Sequence, residues 1–431
     1  MSSLGLTMSQ KWAFRGIDTL AERANVELRR QIHECKLLFY FSHDNLNIQF
    51  RVYEQRIGRQ SHFDSGTATT IYLVPGSDGR QLDNRGLQEG RKVGRMNPIT
   101  ANDIVKITMP AATRVALRMR HWILRFLLDS QDFDLEKYDD KSDTQLKPPP
   151  PVCELPIGRE NQIIQHMLPT YHINQSTYEG NDQVMTQTWR GLGLGSVGEM
   201  KKTGLERVVV WAGDQLTVSR LRGLASFRSH DDNSFERMAY LIPMFGWFHL
   251  QMAFATSLHT QYYGTKAAFG FSHAFDVTGK KGLSSTATQG TFHHTFEEAL
   301  KEVSIARFQD LWKQVAGVEN LGELWSQKPD KLVGLAERIH REFASTEAIV
   351  NMANEPKESQ DQLLKQMAQF NHDLLEYVEL DLAIKVGDVG RMEDMLPRLL
   401  FRFLGGRNHK YAVEILELLQ GLHREWPEDV R

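Results

Sequence analysis

Three acidic residues of this 431-residue chain stand beside apolar segments, in positions where they could do chemistry. Asp44 follows an aromatic-rich run, Asp214 follows the apolar run 208–211, and Glu393 lies near the beginning of a predicted helix. Aspartate is disfavoured inside strands, so Asp44 requires a turn, a bulge or a bound ligand. Asp214 follows the carboxyl end of its predicted strand, where active sites gather in α/β sheets.

Capping and turn formation are the alternative roles of these acids. Asp44 could form an Asx turn, and Asp214 could cap the helix that follows it. With Asp388 as a helix cap, Glu393 lies about one turn inside that helix, next to Asp394. Ordinary capping and compensation of the helix dipole would also explain this cluster.

Carboxylates that converge from two strands and a helix repel one another unless a cation lies between them. Mg²⁺ and Mn²⁺ prefer oxygen ligands, and a pair of them can activate a water or a 3′ hydroxyl and stabilise the departing oxygen. We therefore predict Asp44, Asp214 and Glu393 as catalytic residues and as ligands of Mg²⁺ or Mn²⁺. Asp388 or Asp394 could replace Glu393 in the ligand set.

The elements that must position these acids change in type along the chain. Apolar residues at helical spacing predict an amino-terminal helix over 12–36. From residue 37, β-branched and aromatic residues predict two or three antiparallel strands. The run 208–211 predicts a strand buried on both faces.

A further helix is predicted over 100–129, capped by Thr100 or Asn102, and Pro110 should interrupt it. The acidic, proline-ending stretch 131–156 predicts a surface linker. The glycine-rich stretch 191–204 predicts a flexible connector, because it does not end in the Gly-Lys-Ser/Thr of a phosphate loop.

These elements predict six segments along the chain. They are an amino-terminal helix, 1–36; the first part of an α/β core, 37–147; a linker and irregular connector, 148–204; a core strand with an acidic loop, 205–235; a helical insertion, 236–385; and carboxyl-terminal helices that complete the core, 386–431.

The chain resembles two groups of proteins. The order of its predicted elements is similar in outline to that of RNase H-like nucleases and transposases, which implies an α/β fold with a mixed-sheet core, a large all-α insertion and a helical carboxyl-terminal region. Residues from about 35 to 425 also resemble an uncharacterised fungal domain family with a Gly-Asp-Gln-Leu-Thr signature, associated with mobile elements. The segments that carry this likeness are FSHDNLNIQFRVYEQR, FDSGTATTIYL, VVVWAGDQLTVSRLRG, GWFHLQMAF, VGDVGRMEDMLPR and HKYAVEILELL.

The second likeness bears directly on the candidate residues. Asp44, Asp214 and Glu393 fall inside the quoted segments. His249 resembles the histidine that follows the second aspartate in several eukaryotic cut-and-paste transposases. A histidine with satisfied hydrogen bonds in an apolar helix is the alternative for His249.

Composition limits the partners and the compartment. The chain has 51 basic and 54 acidic residues, so any contact with nucleic acid must be local. Two separate cysteines, Cys35 and Cys153, support neither a disulfide framework nor a zinc site. The most apolar stretch, 240–254, is too short and polar for a membrane span, and no secretory signal is evident. We expect an intracellular protein, nuclear or cytoplasmic, that is not secreted.

The function predicted from these observations is that of a transposase-derived protein with divalent-metal-dependent cleavage or strand transfer of DNA. The alternative is a catalytically inactive domesticated scaffold, or a nucleic-acid or protein-binding module of the same fold. No zinc finger, helix-turn-helix or basic arm is apparent, which favours the alternative. DNA is the expected partner, and the sequence neither requires nor excludes a homo-oligomer. No small-molecule cofactor is indicated.

Overall fold

The computed structural model describes residues 9–50, 62–77, 82–266, 270–280, 282–283, 293–406 and 408–431. The chain divides into two compact units. We call them the sheet unit, Met1–Ile99, Pro156–Gly246 and Leu416–Arg431, and the helical unit, Thr100–Leu155 and Trp247–Ile415. Within the described ranges, no helix has both the length and the apolar character that a membrane crossing needs.

The sheet unit contains one five-stranded mixed sheet, with strands β1 Leu38–Phe50, β2 His62–Val74, β3 Ile164–Met167, β4 Val209–Gly213 and β5 Leu241–Phe245. Their order in the sheet is β3-β2-β1-β4-β5. β2 runs antiparallel to β1 and β3, whereas β4 runs parallel to β1 and β5 parallel to β4. The mixed α/β class and the early antiparallel strands are confirmed; residues 51–61 between β1 and β2 lie outside the described part.

Five helices accompany this sheet: α1 Gln10–His33, α2 Asn84–Met96, α4 Tyr178–Gly191, α5 Val197–Glu206 and α6 Gln215–Phe227. The helical unit contains α3 Ala101–Leu128, α7 Trp247–Tyr262, α8 Phe271–Gly279, α9 His293–Ala316, α10 Pro329–Phe343, α11 Thr346–Asn354, α12 Gln362–Val386 and α13 Val389–Gly405. A last helix, α14 His409–Gln420, is followed by a π-helical turn, Gly421–Glu425. The predicted amino-terminal helix is confirmed as α1.

Aromatic stacking holds the centre of the sheet unit. Phe41 of β1 stacks on Trp211 of β4, with ring centroids 4.4 Å apart, and Trp189 of α4 packs edge-on against both rings. All three side chains are buried. Because large aromatic rings bury the most apolar surface per residue, they are the main contribution to the stability of this core.

The helix α3 begins as predicted but continues through its proline. Thr100 and Asp103 form a capping box at its start. The prediction that Pro110 interrupts the helix was wrong. A proline removes one backbone hydrogen bond and introduces a steric clash, and this cost is offset because Val115, Met119 and other apolar side chains of α3 are buried.

Three further segments differ from their predictions. The strand β5 lies inside the stretch predicted as helical insertion, since a five-residue apolar run cannot be assigned by periodicity alone. Part of the predicted connector 191–204 is the helix α5. The predicted surface linker 131–156 contributes buried Phe133 and Tyr138 to the helical unit.

Glu379 of α12 is the centre of a buried ion-pair network in the helical unit. Its carboxylate accepts two hydrogen bonds from Arg391, at 2.8 and 2.7 Å, and one from the indole of Trp122 at 3.0 Å. Arg118 lies 3.6 Å away, and both Glu379 and Arg118 are almost fully buried. Neutralising this carboxylate would leave two guanidinium groups without compensation inside the protein.

We predict that Glu379→Gln lowers the free energy of unfolding of the helical unit by about 3–5 kcal/mol. Glu337→Gln is the matched control, because Glu337 also pairs with an arginine, Arg120, but on the surface. This substitution should lower the free energy of unfolding by at most about 1 kcal/mol. Urea unfolding followed by circular dichroism measures both, and equal losses would contradict the buried network.

Candidate functional site

Asp44 and Asp214 come from neighbouring strands of the sheet unit. β1 and β4 are parallel, and their paired residues end at Ser42 and Ala212, two residues before each aspartate. Asp44 lies inside β1, whereas Asp214 directly follows β4 with an extended backbone.

The Asp44 side chain lies in a strand and not in a turn. Asp44 pairs with Ala68 of β2, and its Oδ1 accepts a hydrogen bond from the backbone N–H of Asn45 at 2.7 Å. The side chain is exposed. An exposed aspartate at a ladder position goes against strand propensity, and the predicted turn is not formed there.

Asp214 caps the helix α6 with one of its two oxygens. Its Oδ1 accepts the backbone N–H of Thr217 at 2.7 Å, so the capping role is confirmed. Its Oδ2 has no hydrogen bond to any residue that the structure describes. Capping and ligand binding are therefore compatible, since a carboxylate accepts through both oxygens.

A buried histidine ties the two Asp-bearing strands together. His43, next to Asp44, accepts a hydrogen bond through Nδ1 from the indole Nε1 of Trp211 at 2.8 Å. Burial lowers the pKa of His43 to about 4, against the opposing effects of nearby Asn181 and Asp214. The imidazole is therefore neutral at pH 7, which leaves Nδ1 able to accept this bond.

The three acids predicted near residue 390 have different environments in the helical unit. Asp388 caps α13 and accepts the backbone N–H groups of Val152, Cys153 and Arg391. Burial alone would raise the pKa of Asp388, but these hydrogen bonds outweigh it and lower the pKa. Asp388 is therefore fully engaged in holding the backbone of this unit.

Asp394 and Glu393 differ from each other in burial and in their partners. Asp394 is buried and binds Arg114 through both carboxylate oxygens. Glu393 is exposed and has no ion pair or hydrogen bond within the described ranges. Protein atoms crowd one side of its carboxyl and raise its pKa, and Asp394 raises it further. Of these three acids, Glu393 is the one that a cation would stabilise most.

His249 lies on α7 of the helical unit. Its ring packs edge-on against Phe248, with centroids 5.6 Å apart, and the residue is half-buried. The predicted position on an apolar helix is confirmed. Asp44 and Asp214 belong to the sheet unit, and Glu393 and His249 belong to the helical unit.

A second group of possible metal ligands, missed by sequence reasoning, lies on α12. One ligand atom each of His372, Asp373 and Glu376 lie within 4.8 Å of one another. Arg402 pairs with Asp373 at 2.8 Å, and Arg398 with Glu376 at 2.7 Å. The two carboxylates are thus already neutralised by buried arginines, and the arrangement fits a structural ion-pair network better than a metal centre.

Residues 94–431 match the model of a family of unknown function, DUF6589. The chain belongs to this family. The match includes Asp214, His249 and Glu393 but begins after Asp44, later than the resemblance predicted from about residue 35. No curated protein and no solved structure matches the chain.

Sequence reasoning found the two neighbouring aspartates of this DUF6589 member but not His43. A signal was present, because His43 lies two residues after Phe41 and four after Phe39 in a predicted strand. Period-two alternation would have placed the histidine on the same buried face as those rings.

We predict that His43 makes this protein sensitive to acid. The pKa of His43 in the folded protein, about 4, is below its ordinary value of 6.5. The stabilisation that depends on a neutral His43 is therefore complete above pH 6.5 and is lost as pH falls towards 4. Between pH 7 and 4.5, the free energy of unfolding of the wild type should fall by roughly 2–3 kcal/mol more than that of His43→Gln. Urea titrations followed by tryptophan fluorescence give both curves, and parallel curves would show that His43 is not buried neutral.

Proposed function

We propose that this chain is a transposase-like protein with an RNase H-type core that uses Mg²⁺ or Mn²⁺ to cleave DNA phosphodiesters or transfer DNA strands. The observation that carries the proposal is the parallel register of β1 and β4, which would set Asp44 beside Asp214 if it continued two residues past the pair of Ser42 and Ala212. Two adjacent carboxylates are the donor set that a hard divalent cation prefers.

The topology of the sheet supports the proposed core. In the order β3-β2-β1-β4-β5, β2 alone is antiparallel to the other strands. This is the order that an RNase H-like interpretation requires: an Asp-bearing strand in a hairpin, then helices, then a parallel neighbouring strand that ends at the second Asp. The long helical stretch after β5 agrees with the predicted insertion.

Each aspartate has a distinct part in the proposed site. Divalent cations bound there would activate the attacking water or 3′ hydroxyl and stabilise the leaving oxygen. Asp214 presents Oδ2 while its Oδ1 stays fixed by the helix cap, so its carboxylate has little freedom to rotate. Asp44 is held by the ladder of β1 and β2. Preorganised ligands reduce the cost of assembling the site.

Glu393 remains the third ligand that the sequence predicts. Its raised pKa and its lack of a hydrogen bond or ion pair in the described part of the chain support this choice over Asp388 and Asp394. The proposed partner is DNA, in an intracellular compartment. The fungal, mobile-element character implied by the resemblance belongs to the same proposal.

A catalytically inactive scaffold is the second candidate. The observation that favours it is that the cap on α6 already explains Asp214 without a metal. The buried contacts of Asp388 and Asp394 show that acids in the matched family segment serve structure. In a scaffold, the sheet unit would keep its fold and the protein would bind partners without cleaving DNA.

The decisive comparison is a nicking assay on labelled supercoiled DNA with Mg²⁺ or Mn²⁺. Asp214→Asn and Asp44→Asn should each lower the nicking rate at least about 100-fold, because each loses a negative ligand. Asparagine is as good a helix cap as aspartate, so Asp214→Asn keeps α6 intact. Chelation with EDTA should abolish nicking by the wild type.

Asp83→Asn is the matched control, because Asp83 caps α2 in the same unit and accepts the N–H of Arg85. This variant should nick at the wild-type rate. If the wild type leaves DNA intact, or nicks it no faster than Asp214→Asn, the enzyme proposal is wrong and the scaffold proposal takes its place.

A further inference from the structure

The first four turns of α1 carry an apolar stripe that faces solvent. Phe14, Ile17, Ala21 and Ala24 recur at helical spacing on one face, with Leu20 at its edge. Phe14, Ile17 and Leu20 are 58%, 60% and 66% exposed. Large apolar side chains gathered on one exposed helix face indicate an interaction surface.

The same stripe continues into the core at the other end of α1. Leu28 and Ile32 are buried in the sheet unit. Arg29 donates two hydrogen bonds to the carbonyl of Gly191, at 3.0 and 2.8 Å, and His33 lies 3.0 Å from the carbonyl of Leu192. The carboxyl-terminal end of α1 is therefore fixed, and it holds the exposed turns in a defined direction.

A charged stripe runs beside the apolar one. Lys11, Arg15, Asp18 and Glu22 recur at the spacing i, i+4, i+7 and i+11, on a flank centred about 110° around the helix from the apolar face. The first two are basic and the last two acidic. None of the four has an ion pair within the described part of the chain.

We propose that α1 is a self-association helix, which pairs antiparallel with α1 of a second copy of this chain. When two copies cross between Gly16 and Ile17, Lys11 of each lies opposite Glu22 of the other, and Arg15 opposite Asp18. In antiparallel helix pairs, identical flanks face each other, so these charges meet with opposite sign. In a parallel pair this flank would face the other flank of the partner helix, and the four charges would not meet.

The pairing buries the stripe along roughly 20 Å of helix, at 1.5 Å per residue. Apolar contact of Phe14, Ile17 and Leu20 supplies the affinity, and the charges select the register and direction. Exposed ion pairs contribute little energy individually. The dimer is therefore expected to depend mainly on the apolar side chains.

Sedimentation equilibrium of the full chain over a range of concentrations tests the pairing. The wild type should form a dimer, and Ile17→Asp with Leu20→Asp should raise the dissociation constant at least about 100-fold. Val26→Asp is the control, because Val26 is 69% exposed on the opposite face, and it should leave the dimer unchanged. A wild type that stays monomeric throughout, or a dimer that the double variant keeps, overturns the proposal.

Charge reversal tests the antiparallel register. Lys11→Glu with Arg15→Glu, and separately Asp18→Lys with Glu22→Lys, should each weaken self-association about tenfold or more, because each flank then carries one sign. All four changes together should restore it. If the fourfold variant associates no better than either double variant, the register is wrong.

Discussion

The parallel pairing of β1 with β4 is the constraint on which the candidate site depends. Asp44 and Asp214 are 170 positions apart in the chain, and this register places them on neighbouring strands, each two residues beyond the last paired residue. A slip of one residue would turn the side chains of one strand to the opposite face, because side chains alternate. The stacked rings of Phe41 and Trp211, and the hydrogen bond from Trp211 to His43, oppose such a slip from the buried side of the sheet. Packing on the buried face thus fixes the register on which the proposed site depends.

The helical unit uses its charges differently. Several of its buried acids are paired with arginines or with backbone N–H groups, such as Glu379 with Arg391 and Asp394 with Arg114. Such pairs have little freedom to bind an ion, because removing either partner leaves a buried charge without compensation. Glu393 stands apart because it is exposed, has no such partner within the described part of the chain, and has a raised pKa. Ligand atoms of His372, Asp373 and Glu376 also lie close together, but Arg398 and Arg402 already compensate the charges of the two carboxylates.

Local sequence patterns were sufficient for much of the fold. The period of apolar residues predicted α1 and the early strands, and the cap at Thr100 was placed correctly, since each depends on neighbours within a few residues. Features that depend on distant contacts were missed. β5 is too short to have a distinctive period, and α3 continues through Pro110 because packing outweighs the local cost. Asp44 and Asp214 could be named from their positions after apolar runs. Their adjacency could not, because the register is determined by aromatic contacts between residues far apart in the chain.

The central claim is that the two neighbouring aspartates of the sheet unit share a divalent cation. Crystals of the full chain equilibrated with Mn²⁺, and measured at a wavelength where manganese scatters anomalously, test it directly. The account predicts an anomalous peak within bonding distance of a carboxylate oxygen of both Asp44 and Asp214. A peak confined to His372, Asp373 and Glu376, or none between the two aspartates at saturating Mn²⁺, would contradict it.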